Sequence, residues 1–133
     1  MNKLLFAIAI VLLSCGSSPG TIPDTKVIIG IPIKINNIEI AQFDFPDEMN
    51  WVDSKKVCES LGEGWRLPTL DELHLIYQNK DKIEGLIHST YWSSSDATIL
   101  FDAWCHNFIN GQQSTTIFNK YNDQFGVRAV RTK

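Results

Sequence analysis

The chain carries no excess of positive charge: 12 Lys and Arg stand against 15 Asp and Glu, leaving a net charge of −3. Without a basic surplus, nucleic acid loses its electrostatic basis as a partner. Cysteine is scarce, three in 133 residues, and no Cys-x-x-Cys occurs. His74, His88 and His106 are scattered without the paired spacing of a zinc site, so no metal and no other cofactor is expected. Calcium sites gather several carboxylates on adjacent loops, and the C-terminal third offers Asp96, Asp102 and Asp123 as its acids, too few for a lectin-type site. Ser93 to Ser95 lack a Gly-x-Ser-x-Gly elbow, and no His and acid stand in a recognisable order around them. The sequence therefore names no catalytic residue. Its longest apolar run, Leu4 to Leu13, falls short of the roughly 17–25 residues a membrane helix needs.

What that run does resemble is an export signal. Met1-Asn2-Lys3 supplies a charged start and Leu4 to Leu13 the apolar stretch that follows it. Leu12-Leu13-Ser14-Cys15 is similar to a lipobox, with a branched residue at the third position before the cysteine and a small one just before it. Cys15 is then the lipidation site, carrying diacylglycerol and palmitate-type chains. At about 0.8 kcal/mol per buried methylene, several acyl chains hold a protein where one is marginal. The expected organisation is a signal peptide over 1–15, a Gly/Ser/Pro-containing linker over 16–26, and one domain over 27–133. The expected place is the cell envelope, lipid-anchored at the outer membrane or cell surface.

With 44% apolar and 11% aromatic residues, the remainder has the composition of a folded domain rather than a disordered one. Val27 to Ile40 alternates β-branched and polar residues around Pro32 and Asn36-Asn37, which predicts a hairpin or two short strands with Pro32 at an edge. Asn50 caps a helix predicted over Trp51 to Leu61, stopped by Gly62. Thr69-Leu70-Asp71-Glu72 is a capping box, and Leu70, Leu73, Ile76 and Tyr77 follow at helical spacing. The first-turn acids Asp71 and Glu72 thus serve the helix dipole rather than acid–base chemistry. Strands are predicted at Tyr91–Ser95, at Ala103–Ile109 paired with Gln112–Phe118 through a two-residue Asn110-Gly111 turn, and at Gly126–Arg131 beside the first strand. Strands, then helices, then strands make the class α+β, two helices on a small, mostly antiparallel sheet.

Several of these segments carry a resemblance. Asn50-Trp51, Gly64-Trp65-Arg66-Leu67-Pro68-Thr69, Tyr91-Trp92-Ser93-Ser94-Ser95, Ala103-Trp104 with Asn110-Gly111, and Val127-Arg128-Ala129-Val130-Arg131 resemble, in order, the Lcl C-terminal domain family of bacterial lipoproteins and collagen-like adhesins. The match runs from Phe45 to Arg131 and implies a C-type-lectin-like fold. The Arg-Leu-Pro-Thr segment also resembles the formylglycine-generating enzymes, which share that fold. Those enzymes use two cysteines late in the domain, whereas here Cys105 is late and Cys58 falls on the first predicted helix. An oxidase with thiol chemistry at Cys58 and Cys105 is thus the alternative reading, and the two could equally pair in an oxidising compartment or stay free and buried.

The leading expectation is a binding module that takes a protein or glycan ligand at the cell surface on loops held by a rigid scaffold. Trp65, Leu67, Trp92, Trp104 and Phe108 read as core, and Arg66 and Arg128 as structural guanidiniums. The stretch made up of Thr98–Phe101, Cys105–His106 and Gln112–Gln124 mixes aromatic, hydroxyl and amide groups as binding surfaces do. Phe101, His106, Thr116, Phe118, Tyr121 and Asn122 are its ligand-binding candidates, expected to be exposed, with the loops around Asn79–His88 next in line. The stretch also resembles the variable region of proteins diversified by retroelements, where Asn codons are randomised at adenines. Trp104, Gln112, Gln113, Lys120 and Gln124 cannot arise that way, so an undiversified adhesin-like lipoprotein is the default.

Overall fold

A computed structural model describes residues 24–97, 102–114, 119 and 121–133. Cys15 and the signal and linker segments before Asp24 lie outside them, as do Phe101, Thr116 and Phe118. The described chain runs α1 (Thr25–Ile29), β1 (Ile33–Ile35), β2 (Ile38–Ile40), α2 (Trp51–Ser60), α3 (Leu70–Gln78), a 3-10 turn at Lys80–Lys82, then β3 (Thr90–Asp96), β4 (Ala103–Asn107), β5 (Gln113–Ser114) and β6 (Val130–Thr132). The α+β class holds.

The two longer helices begin where side chains cap them. Asn50 accepts from the Asp53 amide at 2.9 Å, and Trp51, Ser54 and Cys58 form the buried face of α2. In α3 the capping box is complete: Thr69 Oγ1 accepts from the Glu72 amide, and Glu72 accepts from the Thr69 amide. The Glu72 carboxylate also takes Arg66 in a two-pronged bond, at 2.8 and 2.9 Å. Leu73 and Ile76 bury the face that α3 turns inward.

Two three-stranded antiparallel sheets make up the rest, ordered β1-β2-β6 and β3-β4-β5. The first hairpin forms as expected, Ile35 opposite Ile38, with Asn36 at φ 51° taking the positive angle that a two-residue turn demands. β1 lies at the edge, directly after Pro32. The segment leading into β6 knits the sheets together: Gly126 exchanges bonds with Thr90 and Trp92, Val127 accepts from Phe45, Ala129 from Ala41, and Val130 pairs with Arg66. One core cluster gathers Trp51, Cys58, Trp65, Leu67 and Trp92, and a second joins Ile40, Leu73, Ile76, Tyr91 and Val130.

Four expectations change. Residues 27–29 belong to a short helix, Thr25–Ile29, rather than to a strand, because Asp24 caps the Lys26 amide, Gly30 ends the turn and Ile28 drops into the core. The closing strand pairs with β2, not with the first strand. Asn110-Gly111 is not a two-residue turn: Asn107 pairs with Gln112 across a four-residue loop, and Gly111 (φ 77°), not Asn110, carries the positive φ. The Asn107 carboxamide accounts for this by accepting from the Ile109 and Asn110 amides, which winds the loop into a helical turn. Trp104 is half-buried rather than core.

Candidate functional site

Of the six ligand-binding candidates, His106, Tyr121 and Asn122 are described, and they do not share one exposed surface. Tyr121 is 52% exposed and Asn122 is exposed, on a turn where the Asn122 and Asp123 amides donate back to the Asn119 carbonyl. His106 is fully enclosed, which corrects the expectation that it is displayed. It sits on the inner face of β4 among His74, Tyr77 and Phe108, with ring centroids 4.9 to 5.5 Å away. Its Nδ1 lies 3.2 Å from the Asn107 carbonyl and its Nε2 3.2 Å from Nδ1 of His74. A carbonyl only accepts, so Nδ1 of His106 bears the proton and its bare Nε2 receives that of His74. Burial pushes the His106 pKa down, helped by the neighbouring His74. It is a neutral packing group.

What the structure does assemble is the loop between α3 and β3. Asn79 closes α3 by donating from its carboxamide to the Leu75 carbonyl, and Ile83 drops into the core at 4% exposure. Beyond it, three buried side chains clamp the backbone. Asp44 accepts from the Ile87 amide (2.9 Å), the Tyr91 hydroxyl (2.6 Å) and Arg128 Nε (2.5 Å). Arg128 also donates to the carbonyls of Ala41, Gln42 and Glu84, and the Tyr91 oxygen accepts from the His88 amide. Burial, the Asp44 charge and its hydrogen bond all push the Tyr91 pKa up, so the hydroxyl keeps the proton it donates. His88 Nε2 lies 3.0 Å from the Phe45 carbonyl, to which it donates. Gly85 (φ 75°) lets the loop pass where a Cβ would come within 3.0 Å of the Gln42 carbonyl and the Phe43 ring.

This clamped loop and the β4–β5 hairpin enclose a groove of about 320 Å³. Ile83, Leu86 and Phe108 give it apolar walls, and Lys80, Asp81 and His88 give it polar ones. Ile109, 76% exposed, stands at the hairpin's tip. Lys80 reaches the Phe108 carbonyl at 3.4 Å and lies over the Tyr77 ring at 4.7 Å, tying α3's end to the hairpin. An exposed isoleucine in the turn Phe108-Ile109-Asn110-Gly111 was the sequence signal for this surface, and core periodicity alone passes over it.

Cys58 and Cys105 are free thiols, 0% and 2% exposed. Burial pushes both pKa values up, that of Cys105 to about 12, so neither offers a thiolate near neutrality. Ser93 is buried and its hydroxyl accepts from the Ser95 amide. Among the described residues no group of three or more His, Cys, Asp or Glu could hold a metal ion, and no helix is long and apolar enough to cross a membrane.

No family model and no curated protein matches the sequence. Among solved structures, EMS16, a snake-venom antagonist of the collagen receptor integrin alpha2beta1, matches with a TM-score of 0.54 over 77% of this chain and 97% of its own. The fold is C-type-lectin-like. At 10% identity the likeness carries the fold alone. Within that C-type-lectin-like frame, the clamped loop and the hairpin tip are peripheral segments held by a rigid centre, an arrangement suited to ligand binding.

Proposed function

We propose that the chain is an envelope lipoprotein of the Lcl C-terminal domain kind, anchored through Cys15, whose C-type-lectin-like domain binds a protein in the groove between the 79–88 loop and the β4–β5 hairpin. The observation that carries this reading is the Arg128–Asp44–Tyr91 clamp: buried polar groups hold an irregular loop in one shape beside a partly apolar groove. Preorganisation of that kind lowers the ordering cost of binding. The exposed Ile109 at the groove's rim favours a protein over a glycan, whose hydroxyls need a denser set of polar partners. EMS16 acts on a protein receptor, in keeping with such a ligand.

Two experiments test the two halves. Cys15→Ser should abolish acyl labelling and release exported protein from membranes, and unchanged labelling would remove the anchor. Surface-protein and glycan panels screened with the wild type should return a protein whose binding Ile109→Asp weakens by about 2 kcal/mol or more, roughly thirtyfold in Kd. Binding equal to wild type places the site elsewhere. The second reading is then the Tyr121–Asn122 turn together with Phe101, Thr116 and Phe118, favoured by the exposure of its two described members. An adenine-rich near-copy of the gene's 3′ end beside a reverse-transcriptase gene would make that surface a diversified one. Against thiol oxidation stands the burial of Cys58 and Cys105, and Cys58→Ser or Cys105→Ser should leave binding unchanged.

A further inference from the structure

Three of the six large apolar side chains exposed among the described residues belong to the segments that come together at the corner where the chain enters the domain: Val27 at 60%, Ile31 at 79% and Phe43 at 40%. Backbone bonds hold their segments side by side. The Phe43 amide donates to the Ile28 carbonyl at 3.2 Å, the Gln42 amide to Ile29 at 2.9 Å, and the Ile31 amide to Gln42 Oε1 at 2.8 Å. Gly30 makes room for the Gln42 side chain, since a Cβ there would overlap it. Ile28, buried at 2%, roots the corner in the core. Ile31 also borders a shallow cavity of about 300 Å³ with Pro32, Ile33, Gln42, Lys82 and Glu84.

We infer that this corner seats on the lipid bilayer that Cys15 enters, with Val27, Ile31 and Phe43 sinking into the boundary between headgroups and acyl chains. The inference rests on the lipid-anchor reading. Asp24 lies nine residues after Cys15, and nine residues reach at most about 30–32 Å even when fully extended. The corner therefore stays within reach of the headgroups. Insertion of about 5–10 Å, the usual depth of interfacial apolar faces, needs no further reach. The neighbouring charges balance, Lys26 and Lys82 against Asp24 and Glu84. Apolar burial, not attraction to anionic lipid, thus drives the seating, and it survives high salt. Because Gly85 of the clamped loop packs against Phe43, seating also fixes how the groove is presented above the membrane.

The test uses the full acylated chain in phosphatidylethanolamine–phosphatidylglycerol vesicles containing nitroxide-labelled lipid. A bimane is attached at Ile31→Cys, at Phe43→Cys or, as control, at Gln113→Cys on the other sheet. The buried Cys58 and Cys105 leave the introduced thiol as the reactive one. Labels at 31 and 43 should be blue-shifted and quenched several-fold more than the label at 113, in low and high salt alike. Equal quenching at all three positions on acylated, vesicle-bound protein overturns the seating and leaves the anchor standing. A chain that carries no acyl group overturns both. Shielding of the labels in Cys15→Ser protein without vesicles, with a dimer seen by sedimentation, assigns the corner to a second copy and likewise overturns the seating.

Discussion

Arg128 and Asp44 form an ion pair in which neither side chain has any solvent exposure, Nε standing 2.5 Å from Oδ1. Eighty-four positions apart in sequence, they join the segment after β2 to the segment entering β6. Most of the remaining hydrogen-bonding capacity is used: the guanidinium reaches three carbonyls, and the carboxylate also takes the Tyr91 hydroxyl and the Ile87 amide. A buried pair so completely bonded stabilises less by its own attraction than by the damage that follows when one member is lost.

Asp44→Ala should therefore destabilise the domain by about 3–5 kcal/mol, because Arg128 is left charged and buried without a counterion. Tyr91→Phe removes one hydrogen bond to the same carboxylate and should cost about 1.5–3 kcal/mol. Urea midpoints check both, and equal losses would show that the ion pair is not the centre of the network.

Gly111→Ala tests how the hairpin tip is seated against α3. A Cβ there would stand 2.8 Å from the Tyr77 hydroxyl, at a φ of 77° that costs an L-residue about 1–2 kcal/mol. The variant should lose at least that much stability and should weaken ligand binding, since Tyr77, Lys80 and Phe108 must shift together. Wild-type melting would mean that the loop relaxes freely.

Thr69→Ala removes the capping hydroxyl of α3 and should cost about 1 kcal/mol in a melting experiment, without affecting the groove. Glu72 would still hold Arg66, so a much larger loss would point to a role for Thr69 beyond the cap.

Acidification should weaken the fold in two stages. His106 has its pKa held below the ordinary 6.5, so the unfolded chain takes up a proton before the folded one does. Its contribution is intact above 6.5 and is lost as pH falls towards the folded value. Glu72 follows below 4.5: burial alone would raise its pKa, but the Arg66 guanidinium and the Thr69 amide outweigh it and hold it down. Urea midpoints measured downwards from pH 7.5 should fall first through the histidine step, and His106→Asn should remove that step. A variant with an unchanged profile would show that His106 does not set it.

The helix starts were legible because caps are local. Asn50 with Asp53 and Thr69 with Glu72 act across three residues, so pattern alone places α2 and α3. The β1–β2 hairpin and β3 were readable for the same reason. Residues 25–29 were not, since Val and Ile suit strand and helix alike, and Asp24, Gly30 and the core slot for Ile28 decide between them.

Of the proposed groove, the sequence named one wall, the 79–88 loop, and that only in second place. His106 reads as a polar residue in a polar stretch, yet it is enclosed because α3 brings His74 and Tyr77 over β4. What the sequence by itself determined is what short-range rules control: composition, caps, turns and the α+β order. Only the tertiary structure decided which faces close on one another: that Arg128 answers Asp44, that β6 joins β2, and that Ile109 and Leu86 border one groove. Those outcomes depend on contacts between residues far apart in the chain, and long-range packing leaves no periodic trace in either partner alone.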